Sequence, residues 1–178
     1  RSGIGVGGYC LTKDPLFANA SSKQVLNEKF TFPLSSKAVE VNQKMTSNVM
    51  SEIKNKFKKK IFGKKVLLIG VSYREDTNDT RYSPAEGVFK FFKKMNCKTS
   101  YYDPLVNYWN FTDSYSIEKK FLSNFDVYVY LIKHQAFKKL DILHKKNSLI
   151  LDLNHVLENK KKSKIYNNKN YDSYFIGS

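Results

Sequence analysis

The sequence predicts an α/β protein in which a helical linker precedes a small doubly wound, Rossmann-like parallel sheet. Three observations support this. After residue 63, short apolar runs without solvent alternation recur, in VLLIG (66–70), FDVYVYLIK (125–133) and SLILDLN (148–154), as expected of strands covered on both faces. Between the first run and the next strand lies a segment with helix-start residues. Upstream of residue 63 the apolar side chains instead recur at spacings of three and four, the period of a helix.

The elements follow in order. Arg1 to about Pro15, RSGIGVGGYCLTKDP, reads as a loop. Its Gly3, Gly5 and Gly8 satisfy the dinucleotide spacing, but that spacing has meaning only between a strand and a helix, and two residues precede it here. The glycines are therefore expected to let backbone approach a partner closely. Leu16 to Lys60 reads as helix with a break at Pro33, and Ala38, Val41, Met45, Val49, Ile53 and Phe57 form a narrow stripe ending near Gly63. Such a helix could lie against its own domain or against a second copy; it is expected to serve as connector and dimerisation surface, which divides the chain into 1–63 and 64–178. Lys64–Gly70 reads as a strand, Ser83 and Pro84 as N-cap and first position of a helix running to Met95, and Cys97–Pro104 as the returning strand of a βαβ unit. A short helix at Ile117–Leu122, a turn at Gln135–Leu140 and a last strand in SYFIG complete the set. No internal repeat is present.

The chain has 178 residues, 41% of them apolar and 15% aromatic, which excludes a disordered chain. No apolar run reaches the roughly 18 to 20 residues of a membrane-spanning helix, and no charged-then-apolar leader opens it; the expectation is a cytoplasmic protein. Cys10 and Cys97 are expected to be free thiols. The formal charge of +15 raises a polyanion- or RNA-binding module as the alternative function. Its lysines, as in 54–65 and 158–170, are interspersed with Asn, Tyr and Ile, a pattern that favours a solvated surface over a nucleic-acid footprint.

Ligands of doubly wound sheets bind at the carboxyl ends of strands, which directs attention to VSYREDTNDTRYSP (71–84). This loop is longer and more polar than a connection requires. Arg74 and Arg81 offer two-pronged donors to phosphate or carboxylate, with Asp79 able to hold one of them, and a plain surface ion network is the alternative. Beside the glycines, Cys10 has Lys13 to favour its thiolate or steady an oxyanion and Asp14 to orient a water. Cys97 reads as packing. His134, His144 and His155 lack a metal-ligand rhythm and read as solvated or capping residues, so no metal site is expected.

GVGGYCLTKDP resembles the catalytic-cysteine segment of the UDP-glucose/GDP-mannose dehydrogenase family. AVEVNQKM resembles the start of that family's central helix, and VLLIGVSYREDTNDTRYSP followed by YYDP resembles the opening of its C-terminal domain. The resemblance implies the C-terminal portion of an NAD-dependent enzyme that oxidises the 6-hydroxymethyl of a UDP-sugar, of UDP-glucose or UDP-N-acetylhexosamine type, to a carboxylate through a cysteine thiohemiacetal and thioester. It implies Cys10 as nucleophile and Asp14 assisting the hydrolytic water. It places Gly3, Gly5 and Gly7 along the substrate, Tyr73 and Arg74 on its nucleotide, Lys13 near the cofactor and Arg81 at the NAD phosphates. A homodimer through the central helix is implied too, together with an N-terminal NAD-binding domain outside this sequence, without which the fragment is expected to be nearly inactive. Two departures stand out: Tyr73-Arg74 where many members carry Phe-Lys, and Asn154-His155 where members using UDP-glucose often carry an arginine.

Overall fold

A computed structural model describes residues 3–25, 31–166, 168 and 170–176. The chain opens with a short helix α1 (Tyr9–Thr12), a 3-10 turn and α2 (Phe17–Gln24), followed by the long α3 (Pro33–Ile61). The part of the expected helix that falls on residues 26–30 lies outside the described residues. Pro33 begins α3 rather than merely interrupting a helix, because its fixed φ suits a first turn where its missing N–H is not needed.

Next come β1 (Lys65–Ile69), α4 (Ala85–Lys94), β2 (Lys98–Tyr102), a small hairpin of β3 (Tyr108–Trp109) and β4 (Ser114–Tyr115), then β5 (Val127–Tyr130), β6 (Leu149–Asp152), α5 (Asn159–Tyr166) and β7 (Asp172–Phe175). The main sheet has the order β2-β1-β5-β6-β7 and every pairing in it is parallel. The chain therefore leaves β1 on one side for β2 and returns on the other for β5. That reversal opens a crevice at the carboxyl ends of β1 and β5. Residue alternation sends Val66, Leu68, Val127 and Val129 to one face and Leu67, Ile69, Tyr128 and Tyr130 to the other, all of them buried.

α3 and α4 cover the first face, where Met50, Ile53, Phe57 and Ile61 meet Val88 and Phe92. Ser83 Oγ accepts the Ala85 amide at the start of α4, and beyond its C-cap Met95 the positive φ of Asn96 turns the chain into β2. Buried Cys97 directs its Sγ toward the Ile61 carbonyl, and burial pushes its thiol up, as a packing role requires.

The stripe on α3 departs from its sequence reading. Ile53 and Phe57 are buried as expected, but Ala38 and Val41 are exposed, and Val39 is buried in the first half. The inward positions there are polar: Asn42 and Thr46 hold the glycine segment, so apolarity alone could not locate that face. The short helix expected at Ile117–Leu122 is only a 3-10 turn at Lys119–Phe121. Among the described residues no helix is long and apolar enough to cross a membrane.

Candidate functional site

The glycine segment lies across the carboxyl end of the sheet as a strap fastened by α3. The Asn42 side chain pairs with residue 6 as a backbone would, accepting the Val6 amide at 2.8 Å and donating to the Val6 carbonyl at 2.9 Å. Thr46 Oγ1 donates to the Ile4 carbonyl at 2.8 Å, and Ile4 enters the core. On its other side the strap presses against the loop after β1. A Cβ on Gly7 would stand 2.6 Å from the Tyr82 carbonyl oxygen and 2.7 Å from Tyr73 Cβ, closer than real Cβ atoms approach, so only glycine fits. Gly8 has φ +77° and gives its amide to the Arg81 carbonyl.

The loop after β1 is anchored by buried polar groups from two other strand ends. Asp103, just past β2 and only 3% exposed, accepts the Val71 and Ser72 amides on Oδ2 and the Leu105 and Val106 amides on Oδ1. Burial alone would raise its carboxyl; hydrogen bonds from His134 and from the Leu105 and Val71 amides outweigh that and hold it below the usual carboxylate range. His134, beyond β5, is fully buried. Its Nε2 lies 3.2 Å from Asp103 Oδ2 and 3.3 Å from Ser72 Oγ, while its Nδ1 accepts the Asp76 amide at 2.9 Å. Sequence reasoning had His134 solvated or capping. The ring is instead an internal tie, and no local pattern announces it because its partners lie 31 to 62 residues away.

Strap and loop enclose a cavity of about 510 Å³. Gly3, Gly5 and Gly7 form one wall, Tyr73 and Arg74 another, and Leu131, Ile132 and Asn154 close it from the ends of β5 and β6. Five of the residues singled out in the sequence are thus brought together. Asn154 belongs to the site as well, recognised in the sequence only as a departure from the family.

Cys10, Lys13, Asp14 and Arg81 do not line this cavity; the first three follow the strap in α1 and the turn after it, and Arg81 meets that segment through Tyr9. Cys10 is exposed. Lys13 lies 3.5 Å from Asp14 and over the rings of Tyr9 and Phe17. Arg81 stacks over Tyr9 with its guanidinium carbon 4.8 Å from the ring centre and is gripped by Asp79 through Nε and Nη2. That guanidinium holds the Asp79 carboxyl below its ordinary value. Asp79 thus holds one of the loop's two arginines, and Arg74 is the one at the cavity. Among the described residues no group of three or more His, Cys, Asp or Glu could hold a metal ion.

Residues 67–159, more than half of the chain, match the UDP binding domain of the UDP-glucose/GDP-mannose dehydrogenase family. The UDP-N-acetyl-D-mannosamine dehydrogenase of Methanococcus aeolicus is 31% identical over 163 residues, which cover 87% of this chain and 35% of that protein. The Methanococcus vannielii protein of the same name is 34% identical over 166 residues, covering 87% and 36%. The crystal structure of NDP-N-acetyl-D-galactosaminuronic acid dehydrogenase from Methanosarcina mazei Go1 superposes with a TM-score of 0.79 at 25% identity, over 99% of this chain and 39% of that one. The chain thus spans little more than a third of the length of the relatives it matches. With the UDP binding domain matched over more than half of its length and the whole fold superposing on such a structure, the chain belongs to the UDP-glucose/GDP-mannose dehydrogenase family.

Proposed function

We propose that this chain is the substrate-holding and cysteine-bearing part of an NAD-dependent nucleotide-sugar 6-dehydrogenase, acting on a UDP-sugar in the cytoplasm. The observation that carries the reading is the convergence of Gly3, Gly5 and Gly7 with Tyr73 and Arg74 on one cavity, three residues before an exposed cysteine. The names of the relatives support an N-acetylhexosamine as the sugar.

In this reading Tyr73 offers a ring face to the nucleotide, Arg74 a fork to its phosphates, and the side-chain-free strap lets the sugar lie against backbone. Cys10 Sγ adds to the C6 aldehyde carbon; the carbonyl π pair moves to oxygen, which takes up a proton. In the last step water attacks the thioester carbonyl, Asp14 accepts the water's proton, and the carbon–sulfur bond breaks to return the thiolate and release the carboxylate. NAD, when bound, supplies the hydride acceptor for both oxidations. This chain's own glycines do not form its cradle: Gly7 and Gly8 are packed on Tyr73 and Tyr82, and the Gly8 amide is spent on Arg81. What the chain offers the cofactor is charge, from Lys13 and Arg81 on the ring of Tyr9, the residue before Cys10, and the dinucleotide fold is assigned in this reading to the remaining length of the relatives. Two copies pair through α3, where Leu34 and Val41 are exposed.

Calorimetric titration with UDP and with a random oligonucleotide at two salt concentrations tests the substrate side. UDP binding weakened by Arg74→Ala is expected; oligonucleotide binding with a steep salt slope and no response to UDP would replace this reading with a polyanion-binding module. On the chemical side, Cys10→Ser in enzyme completed with the NAD-binding domain of a relative is expected to stop oxidation at the aldehyde. Turnover equal to the parent would remove Cys10 from the mechanism.

A further inference from the structure

We propose that His134 is the positioning residue of the nucleotide site, setting the backbone of Ser72–Asp76 so that Arg74, at the middle of that pentapeptide, faces the cavity. The inference rests on the UDP-binding reading above for its ligand but not for its geometry.

His134 touches both ends of the pentapeptide at once. At one end its Nε2 faces Ser72 Oγ at 3.3 Å; at the other its Nδ1 accepts the Asp76 amide at 2.9 Å. The Asp76 amide requires a lone pair on Nδ1, which puts the ring hydrogen on Nε2, shared between Ser72 Oγ and Asp103 Oδ2. Ser72 Oγ accepts there and turns its own hydrogen to the Arg74 carbonyl at 2.8 Å. Asp76 is held at φ +53°, and its carboxylate accepts the Gln135 amide at 2.8 Å, a second tie to the segment that carries the histidine. The Arg74 backbone is thus fixed through Ser72 on one side and Asp76 on the other, leaving its exposed side chain to line the cavity.

Ser72, His134 and Asp103 have the residue types of a hydrolytic triad, and the geometry excludes that role. Serine and aspartate meet the same ring nitrogen, the other nitrogen is taken by backbone, and serine and histidine are fully buried. A working triad places its nucleophile and its orienting carboxylate on opposite nitrogens. Here the set orders a loop, and an ordered loop binds more tightly because its conformational cost is met on folding.

The test measures UDP affinity of the 178-residue chain by calorimetry, amide exchange of Ser72–Asp76, and thermal melts for the parent, His134→Phe, His134→Gln, Arg74→Ala and the His134→Phe/Arg74→Ala double variant. The expected result is a loss of UDP affinity of at least tenfold in His134→Phe with partial rescue in His134→Gln, whose amide can both donate and accept. Little further loss is expected when His134→Phe is added to Arg74→Ala, because a residue acting through Arg74 has nothing to position once Arg74 is gone. Affinity within twofold of the parent in folded His134→Phe, or full additivity in the double variant, would overturn the proposal. If the parent itself fails to bind UDP, the nucleotide reading falls, and exchange alone decides the loop claim: faster exchange at Asp76 in the variants sustains it and unchanged exchange ends it. Should His134→Phe not fold, nitrogen NMR of the parent takes its place. A coupling across the hydrogen bond between the Asp76 amide and an unprotonated Nδ1 is expected, and a proton on Nδ1 would refute the arrangement.

Discussion

On the face of the sheet under α3 and α4 the strands present Val66, Leu68, Val127, Val129, Leu149 and Leu151; on the other they present Leu67, Ile69, Tyr128, Tyr130 and Ile150. In the three central strands β1, β5 and β6 the tyrosines occur on one side only, and what covers each side explains it; Tyr101 of β2 lies on the helix side beneath the β3–β4 hairpin, where its hydroxyl meets the Asn107 and Ser114 carbonyls. A helix satisfies its own backbone, so α3 and α4 can be met by aliphatic side chains alone. Much of the opposite cover is the irregular crossover from β5 to β6, whose backbone must find partners elsewhere. Tyr128 supplies one, its hydroxyl accepting the Lys145 amide of that crossover at 3.3 Å and the Phe125 amide of the loop before β5 at 3.3 Å. Tyr130 reaches His144 Nε2 at 2.8 Å, beside a cavity of about 360 Å³ that the loose cover leaves open. Strand composition thus records the type of cover as well as burial.

The largest expected effect tests the helix-covered face. Phe92 is fully buried, and Phe92→Ala should cost about 3–5 kcal/mol by urea denaturation, whereas Phe137→Ala, at the partly exposed margin of the other face, should cost under about 2 kcal/mol. Equal losses would mean that the irregular cover packs as tightly as the helices.

A pH effect should distinguish the faces next. Burial pushes His144 down to about 4 from 6.5, so between those values the unfolded chain binds a proton that the native chain refuses. Stability is therefore full above pH 6.5 and falls as pH drops toward 4, by an amount on the order of 3 kcal/mol. His144→Gln, which keeps a polar partner for Tyr130, should flatten that slope in denaturation curves taken from pH 7 to 4. A slope unaltered by the substitution would move the titration to another group.

The smallest effect concerns the polar exception on the helix side. Asn42→Ala removes two hydrogen bonds to the strap and should cost about 1 kcal/mol, with faster exchange of the Val6 amide as the local sign. Unchanged exchange would mean that on the α3 side the strap is held by Ile4 and Thr46 without Asn42.

These contrasts also explain what could be read from the sequence. Strands β1, β2, β5 and β6 and helix α4 were legible because each is written in contiguous residues with its own start signals. That Arg74 and the glycines meet at one cavity was legible from loop chemistry and from the resemblance together, whereas Tyr73 was singled out by the resemblance alone. The hairpin that buries Trp109 against Tyr101 and Phe89 was missed because two-residue strands have no period. α5 was missed because Asn159–Tyr166 is dominated by lysine, which reads as solvated surface. Asn42 and His134 were missed for a different reason: each is an ordinary polar residue whose meaning comes from a partner more than 30 positions away.

The anchoring of the loop after β1 sets an order of events during synthesis. Tyr73 and Arg74 leave the ribosome before their supports: the carboxylate that receives the Val71 amide arrives 32 residues after its donor and the imidazole that receives the Asp76 amide 58 residues after its donor. A nascent polypeptide halted before position 134 carries the Tyr73 and Arg74 side chains without the imidazole that ties down the backbone on either side of them. The ordered form of this loop is then a late trait of biogenesis, gained only once the third strand of the main sheet and the segment beyond it have been made.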